Sequence, residues 1–377
     1  MDFSYSEVQQ MLQDSVKKFV SKNYDFDTRS KIIESEAGYS KENWQLFAEL
    51  GWLAVPLSEE DGGLGGSAVD LMVMMEEFGR ANLVEPFLPS AVIGGSLVAE
   101  LATNDQKSQI LEKVVGGNLQ LAYASAETGS RFNVSKVATS AEAKGDDIVI
   151  NGKKIAVLNG PNADQLLVCA RERGSESDAD GISIFLVDPN TPGVTIRPFT
   201  NIDGQKSSEI DFIDVTITGA SRIGDPGDAF AAMEKVNDKA VLGVSAEAVG
   251  VLETLLQKTV EYSKTRKQFG TVIGTFQALQ HRMADMFIEC QLARSIVVMA
   301  AMKLDSSADQ REKTKAVSAA KSRVGKAIRR VSQEAVQIHG GIGVTNELDV
   351  GHYFKRATAL EIMFGNTDYH VERFASL

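Results

Sequence analysis

At 377 residues with 43% hydrophobic content, the chain is long enough for two or three domains and apolar enough for a real core. A net charge of -12 and a pI near 5.0 argue against a nucleic-acid surface, which needs concentrated Lys and Arg. Cys169 and Cys290 sit in apolar surroundings without metal-ligand spacing, so buried free thiols in a reducing compartment are expected.

The first segment, MDFSYSEVQQ, has neither a basic n-region nor an apolar h-region, so no secretory signal is expected. Charges or glycines interrupt each apolar run, so no membrane span is expected and the cytoplasm is the default location. From about residue 5 to 117 the pattern is helical. Val8, Met11, Leu12, Val16, Phe19 and Val20 recur at spacings of three and four, on one face, with Ser6 as the N-cap. KENWQLFAELGW and VDLMVMMEEFGR read the same way, and the glycines of PLSEEDGGLGGS between them suit tight turns or close backbone approach.

From about 119 to 225 the period changes to two. Segments such as DIVINGKKIAVLNG, DQLLVCARE and SEIDFIDVTI are short, β-branched and bounded by turn residues. ERGSESDAD, 172–180, reads as an exposed hairpin loop and not a metal site. Beyond 229 the chain is helical again, with segments expected at 229–264, 276–304, about 313–338 and 348–364, which suit a bundle. The plan is α+β: an N-terminal helical domain (1–118), a middle β-barrel or sandwich domain (119–227) and a C-terminal four-helix bundle (228–377). The Met-rich stretches at 72–75 and 283–302 read as core filling.

Composition and periodicity do not name a reaction. In KTRKQFG, Arg266 and Lys267 stand at a helix end before a turn glycine. They suit either a diphosphate or the negative end of a helix dipole. The glycines of QIHGGIG suit a C-cap or the approach of a ligand to bare backbone. His281, His339, His352 and His370 form no metal-ligand spacing, so no metal site is expected. No Walker loop, nucleophile elbow or strand–GxGxxG–helix unit is present.

Taken together with the α–β–α plan, TRKQFGTVIGTFQALQHRMADM and QIHGGIGVTNE make the chain resemble the acyl-CoA dehydrogenase family over essentially its whole length, PLSEEDGGLG and MMEEFGRA included. The resemblance implies FAD, an acyl-CoA substrate, formation of a trans-2 double bond, a dimer-of-dimers tetramer and an electron-transfer flavoprotein as acceptor. Arg266 and Phe269 match the R-x-x-F-G motif that reaches the FAD of a neighbouring subunit, with Gln268 between them. Phe276 and Gln277 match a pair near the same cofactor. Gln337, Gly340 and Gly341 match Q-x-x-G-G at its adenosine and pyrophosphate end, and Thr367 matches a residue at the diphosphate.

Elsewhere the family pattern is broken. The turn usually written Thr-Glu-Pro-Gly-x-Gly-Ser is here AETGSRF, with Ala126, Thr128 and Phe132 at the Thr, Pro and Ser positions. In place of W-I-T-N-G stands AVLNG, so Ala156 and Leu158 replace the aromatic wall and the hydroxyl of the flavin-ring pocket. The catalytic Glu of an aromatic-Glu-Gly-Thr stretch, aligned through Arg356 and Thr367, falls on Gly365. The alternative Glu, 30 residues before Gly270, falls on Ala240. Asp238 and Glu247, on the same expected helix, are the weak remaining candidates for the base.

The expectation is a subunit of a hetero-oligomeric acyl-CoA dehydrogenase (α2β2) that completes the FAD site of a homologous partner owning the base. AVLNGPNADQLLVCARE and GHYFKRATALEIMFGNTDYH resemble the small subunits of pimeloyl-CoA and steroid side-chain dehydrogenases. The alternatives are a self-sufficient homotetramer and a non-redox relative.

Overall fold

The computed structural model describes residues 5–377. In chain order the first helices are α1 (Glu7–Asn23), α2 (Phe26–Glu34), α3 (Lys41–Glu49) and α4 (Ala68–Ala81). A buried π-helix at Phe87–Gly94 leads into α5 (Gly95–Leu101), and α6 (Asn104–Val115) follows. The strands are β1 (Leu121–Ala124), β2 (Ser140–Lys144), β3 (Asp147–Leu158), β4 (Gln165–Arg171), β5 (Ile182–Val187), β6 (Val194–Thr200), β7 (Lys206–Thr218) and β8 (Arg222–Ile223). After α7 (Phe230–Thr265) come a small hairpin, β9 (Lys267–Gln268) and β10 (Thr271–Val272), then α8 (Gln277–Asp305), α9 (Gln310–His339), α10 (Asp349–Ile362) and α11 (Thr367–Ser376). The α+β plan thus stands, and the long C-terminal helices end within a few residues of their expected limits.

The chain divides into two compact units. The first comprises residues 1–31, 68–83 and 241–377. Here α9 packs on α8, α10 and α11, while α4 packs on α1 and α8. Ser6 caps α1 as expected, in a capping box with Gln9. α4 and the second half of α7 approach backbone to backbone. A Cβ on Gly79 would stand 2.0 Å from the Glu247 carbonyl oxygen, and one on Gly250 would stand 1.9 Å from that of Glu76. Met72, Met74, Met75 and Met286 are core residues, whereas Met299 and Met302 face outward on α8, so only part of the second methionine stretch fills the core.

The second unit, residues 32–67 and 84–240, carries one eight-stranded mixed sheet of order β6-β7-β3-β2-β4-β5-β8, with β1 parallel to β4. β2 and β4 meet through a single pair, Ser140 and Arg171. The two halves of the sheet therefore join at a corner, and their apolar faces, including Ile148, Ile150 and Phe212 from one half and Leu166, Val168 and Phe185 from the other, form one core. The 172–180 segment is the β4–β5 connection, held by an Arg173–Asp180 ion pair of 2.7 Å.

Both cysteines are free and buried. Among the described residues one helix, α7, is long and apolar enough to cross a membrane by length and composition, which the reading of interrupted apolar runs did not anticipate. Of its apolar window 78% is buried inside the chain, as in the core helix of a folded protein.

Candidate active site

The ends of α7 and α9 meet in the first unit. The Tyr262 ring stacks on His339 at 4.3 Å, and the Tyr262 hydroxyl donates to the His339 carbonyl at 3.4 Å. Burial lowers the His339 pKa below its ordinary value, and Nδ1 pairs with the Ala335 carbonyl at 2.7 Å. This contact brings the two sequence motifs to one end of the helical core.

Arg266 follows α7, and the two-residue strands β9 and β10 close a hairpin whose turn residues, Phe269 and Gly270, both have positive φ (52° and 81°). That geometry fits a type I′ turn. A bulky residue at Phe269 is strained in it, and its ring is 92% exposed, touching Phe276 edge-on at 6.2 Å. Gln268, Phe276 and Gln277 are also exposed, and the Arg266 guanidinium has no carboxylate partner among the described residues. Gly340, at φ 67° and ψ -146°, ends α9 in a conformation suited to glycine. A Cβ on Gly340 or Gly341 would meet only open space, and Gln337 is exposed beside them. Strained, exposed and unpaired groups gathered at one end of the core fit a diphosphate-bearing ligand reached from outside the chain.

Thr367 lies at the start of α11, on a second surface. It lines a groove of about 360 Å³ with Lys326, Arg329, Arg330 and Asp368. Three cations beside a helix N-terminus suit phosphate oxygens, with Glu334 and Asp368 also in the lining and Arg330 paired with Asp285 at 2.7 Å. A Cβ on Gly325 of α9 would stand 2.3 Å from Thr367 Oγ1, so the glycine lets the turn seat against α9. Thr367 Oγ1 donates to Glu361 Oε1 at 3.2 Å, and Arg329 donates to the same oxygen at 3.1 Å.

The turn before Thr367 holds no carboxylate. Phe364 has φ 56° and Gly365 has φ 115°. A Cβ at Gly365 would lie 2.5 Å from Tyr369 Cδ1 and 2.6 Å from His370 Nε2. A glutamate at 365 is thus excluded twice, by backbone conformation and by space. Beneath the turn, Lys321 Nζ donates to the carbonyls of Leu360, Glu361 and Gly365 at 2.9, 2.9 and 2.8 Å. His370 Nε2 pairs with the Phe364 carbonyl at 3.0 Å.

The remaining candidate acids differ from one another. Both Glu247 oxygens are taken by Arg356, Oε1 from Nε at 2.6 Å and Oε2 from Nη2 at 2.8 Å, with both side chains buried. The pair ties α10 to α7, which is a structural task. Asp238 and Ala240 lie in the second unit, both buried.

The second unit also carries the loop and strand of the expected flavin-ring pocket. The Ile155 amide donates to the Ala126 carbonyl at 2.9 Å, where β3 bulges and Ala156 takes φ 50°. Glu127 accepts from Lys154 at 2.6 Å and from the Ala138 and Thr139 amides. Burial alone would raise the Glu127 pKa, but Lys154 and these donors outweigh it and hold it low. Sequence reasoning singled out neither Lys154 nor Lys321; their signal, a lysine amid apolar neighbours, is too common to read without the fold. The bonds of Ala126 and Glu127 tie the loop to the strand, while Ala126, Ala156 and Leu158 offer neither a hydroxyl nor an aromatic ring at the expected positions.

Comparison with known proteins agrees. The family models "Acyl-CoA dehydrogenase, N-terminal domain", "middle domain" and "C-terminal domain" match residues 6–118, 122–215 and 231–376. A probable acyl-CoA dehydrogenase of Bacillus subtilis, YngJ, is 30% identical over 98% of this chain and 97% of its own. Butyryl-CoA dehydrogenase from Megasphaera elsdenii has a TM-score of 0.90 at 27% identity, covering 100% of this chain and 99% of that one. A chain of the ChsE4-ChsE5 complex from Mycobacterium tuberculosis has a TM-score of 0.89 at 26% identity, covering 100% and 98%. This protein belongs to the acyl-CoA dehydrogenase family, oxidoreductases that act on CH–CH bonds with FAD.

Proposed function

We propose that this chain is a subunit of a hetero-oligomeric acyl-CoA dehydrogenase, in which it completes the FAD site of a homologous partner that carries the catalytic base. The observation behind the reading is the 363–367 turn, which holds a glycine in a conformation glutamate rarely adopts and no carboxylate at all. Gly365 takes the position of the motif's glutamate while Thr367 keeps that of its threonine, so no acid stands where the base is expected.

Removing the α-proton of a thioester calls for a positioned carboxylate, a contribution of about 10²–10⁴-fold. The chemistry FAD supplies is acceptance of the hydride from the β-carbon. On our reading this chain contributes Arg266, Gln268, Phe269, Phe276 and Gln277 from one surface and Gln337, Gly340 and Gly341 beside them, all directed at a cofactor seated on the partner. Thr367 keeps a diphosphate contact of its own. The heteromeric ChsE4-ChsE5 complex among the structural relatives makes such a division of labour reasonable. We retain the division at 118/119 and 227/228, an electron-transfer flavoprotein as acceptor and a cytoplasmic location.

One observation favours a second reading. Asp238 is fully buried on α7, two residues from Ala240. A self-sufficient enzyme would use it as the base.

The test is the FAD content of the chain purified alone and with its genetic neighbours, read from flavin absorbance, followed by bleaching with acyl-CoA. About one FAD per two chains, retained only with the partner, is the expected result. One FAD per chain with bleaching by the isolated protein would overturn the proposal, and loss of that bleaching in Asp238→Asn with FAD retained would establish the second reading.

A further inference from the structure

α9 presents Lys321, Gly325 and Arg329 at intervals of four residues, hence along one face. All three meet the 363–367 turn or the end of α10. Lys321 uses its three N–H donors on three carbonyls. Two of these, from Leu360 and Glu361, belong to the last turn of α10, which lacks following helical amides because the chain leaves the helix at Met363, whose ψ is 131°. The third lies beyond the break. An ammonium here also answers the negative end of the α10 dipole. Gly325 seats Thr367, and Arg329 holds Glu361, which accepts from the Thr367 hydroxyl.

We infer that Lys321 is a positioning residue for the cofactor: from within the helical core it fixes the 363–367 turn so that Thr367 and the start of α11 hold one geometry toward the FAD diphosphate. This rests on the proposed reading that the turn faces that diphosphate. Lys321 touches no cofactor itself and acts through backbone. A lysine placed only to neutralise a helix end would need Leu360 and Glu361; the bond to Gly365 spans the break and specifies the turn.

The titratable groups about this ammonium are Glu361 on α10, paired with Arg329, and His370 on α11, near Arg373. On the α8 side, Glu289 is held by Arg323 at 2.6 Å. Burial pushes Lys321 down to about 7, against the opposing pull of Glu361. Above that pH a neutral amine has two N–H donors for three carbonyls.

The experiment uses the full chain in the assembly that retains FAD. It compares wild type, Lys321→Met, the milder Lys321→Gln, which keeps two N–H donors, and Val331→Ala, a buried α9 change two to three turns away. In both Lys321 variants, amide exchange across 363–367 should quicken and the Kd for FAD should weaken at least tenfold. Val331→Ala should lower the melting temperature while leaving Kd within twofold. The wild-type Kd–pH profile should show an inflection that both Lys321 variants lack. Should Lys321→Met fail to fold, Lys321→Gln and the wild-type profile still decide. Kd shifts no larger than that of Val331→Ala, or superimposable pH profiles, would overturn the inference. Faster exchange at the turn with unchanged Kd in the Lys321 variants and in Thr367→Val would show instead that the turn does not face the cofactor.

Discussion

Glu247 and Arg356 meet as a bidentate pair with almost no solvent access. Removing one partner of such a pair strands the other charge, at roughly 3–5 kcal/mol. Glu247→Gln should therefore lower stability by that order in chemical denaturation while leaving any acyl-CoA bleaching of the folded fraction intact. Loss of bleaching without loss of stability would restore Glu247 as a base. His370 carries a different signature. Burial, with Lys321 nearby, lowers it from 6.5 to about 3. Its folded-state pKa is depressed, so the stability it contributes is present above the unfolded value and is lost as pH falls from about 6.5 toward 3. Between pH 7.5 and about 5 the loss should approach 2 kcal/mol. His370→Gln should flatten that part of the stability–pH curve, as urea titrations at the two pH values would show.

Among the elements, the β9–β10 hairpin is built against its own local preference. Phe269 occupies a left-handed position that asparagine takes far more readily. Phe269→Asn should leave the melting temperature unchanged or raise it, yet weaken FAD retention by the assembled enzyme. A parallel fall in both would mean that the ring serves only its own fold. The turn between α10 and α11 gives the complementary case. Gly365→Glu should destabilise the chain, because the side chain would begin inside Tyr369 and His370. Phe364→Glu, at a half-buried position, should be accommodated with smaller loss. On the proposed division of labour, proton abstraction in the isolated chain, assayed by α-deuterium exchange of an acyl-CoA, is expected from neither variant.

At the scale of the whole molecule, the succession of helices, strands and helices was legible because periodicity follows directly from which faces are buried. The long C-terminal helices were placed to within a few residues for that reason. The motifs were legible as well, since Arg266, Phe269, Gly340 and Gly341 stand in short, ordered strings. Less legible was whatever depends on packing between distant segments. Nothing in the string marks Lys321 as buried beneath Gly365, 44 residues later, or Lys154 as the counter-ion of Glu127. The outward-facing Met299 and Met302 read as core residues because apolarity alone does not say which face is covered. The sequence by itself determined the class of fold, the short ordered motifs that carry the family resemblance and the lack of a glutamate at two expected positions, since each is a matter of residue identity and spacing. Only the tertiary structure decided that Glu247 is spent on Arg356 and that residue 365 must be glycine, because burial, backbone conformation and the neighbours of a side chain are properties of the packed chain.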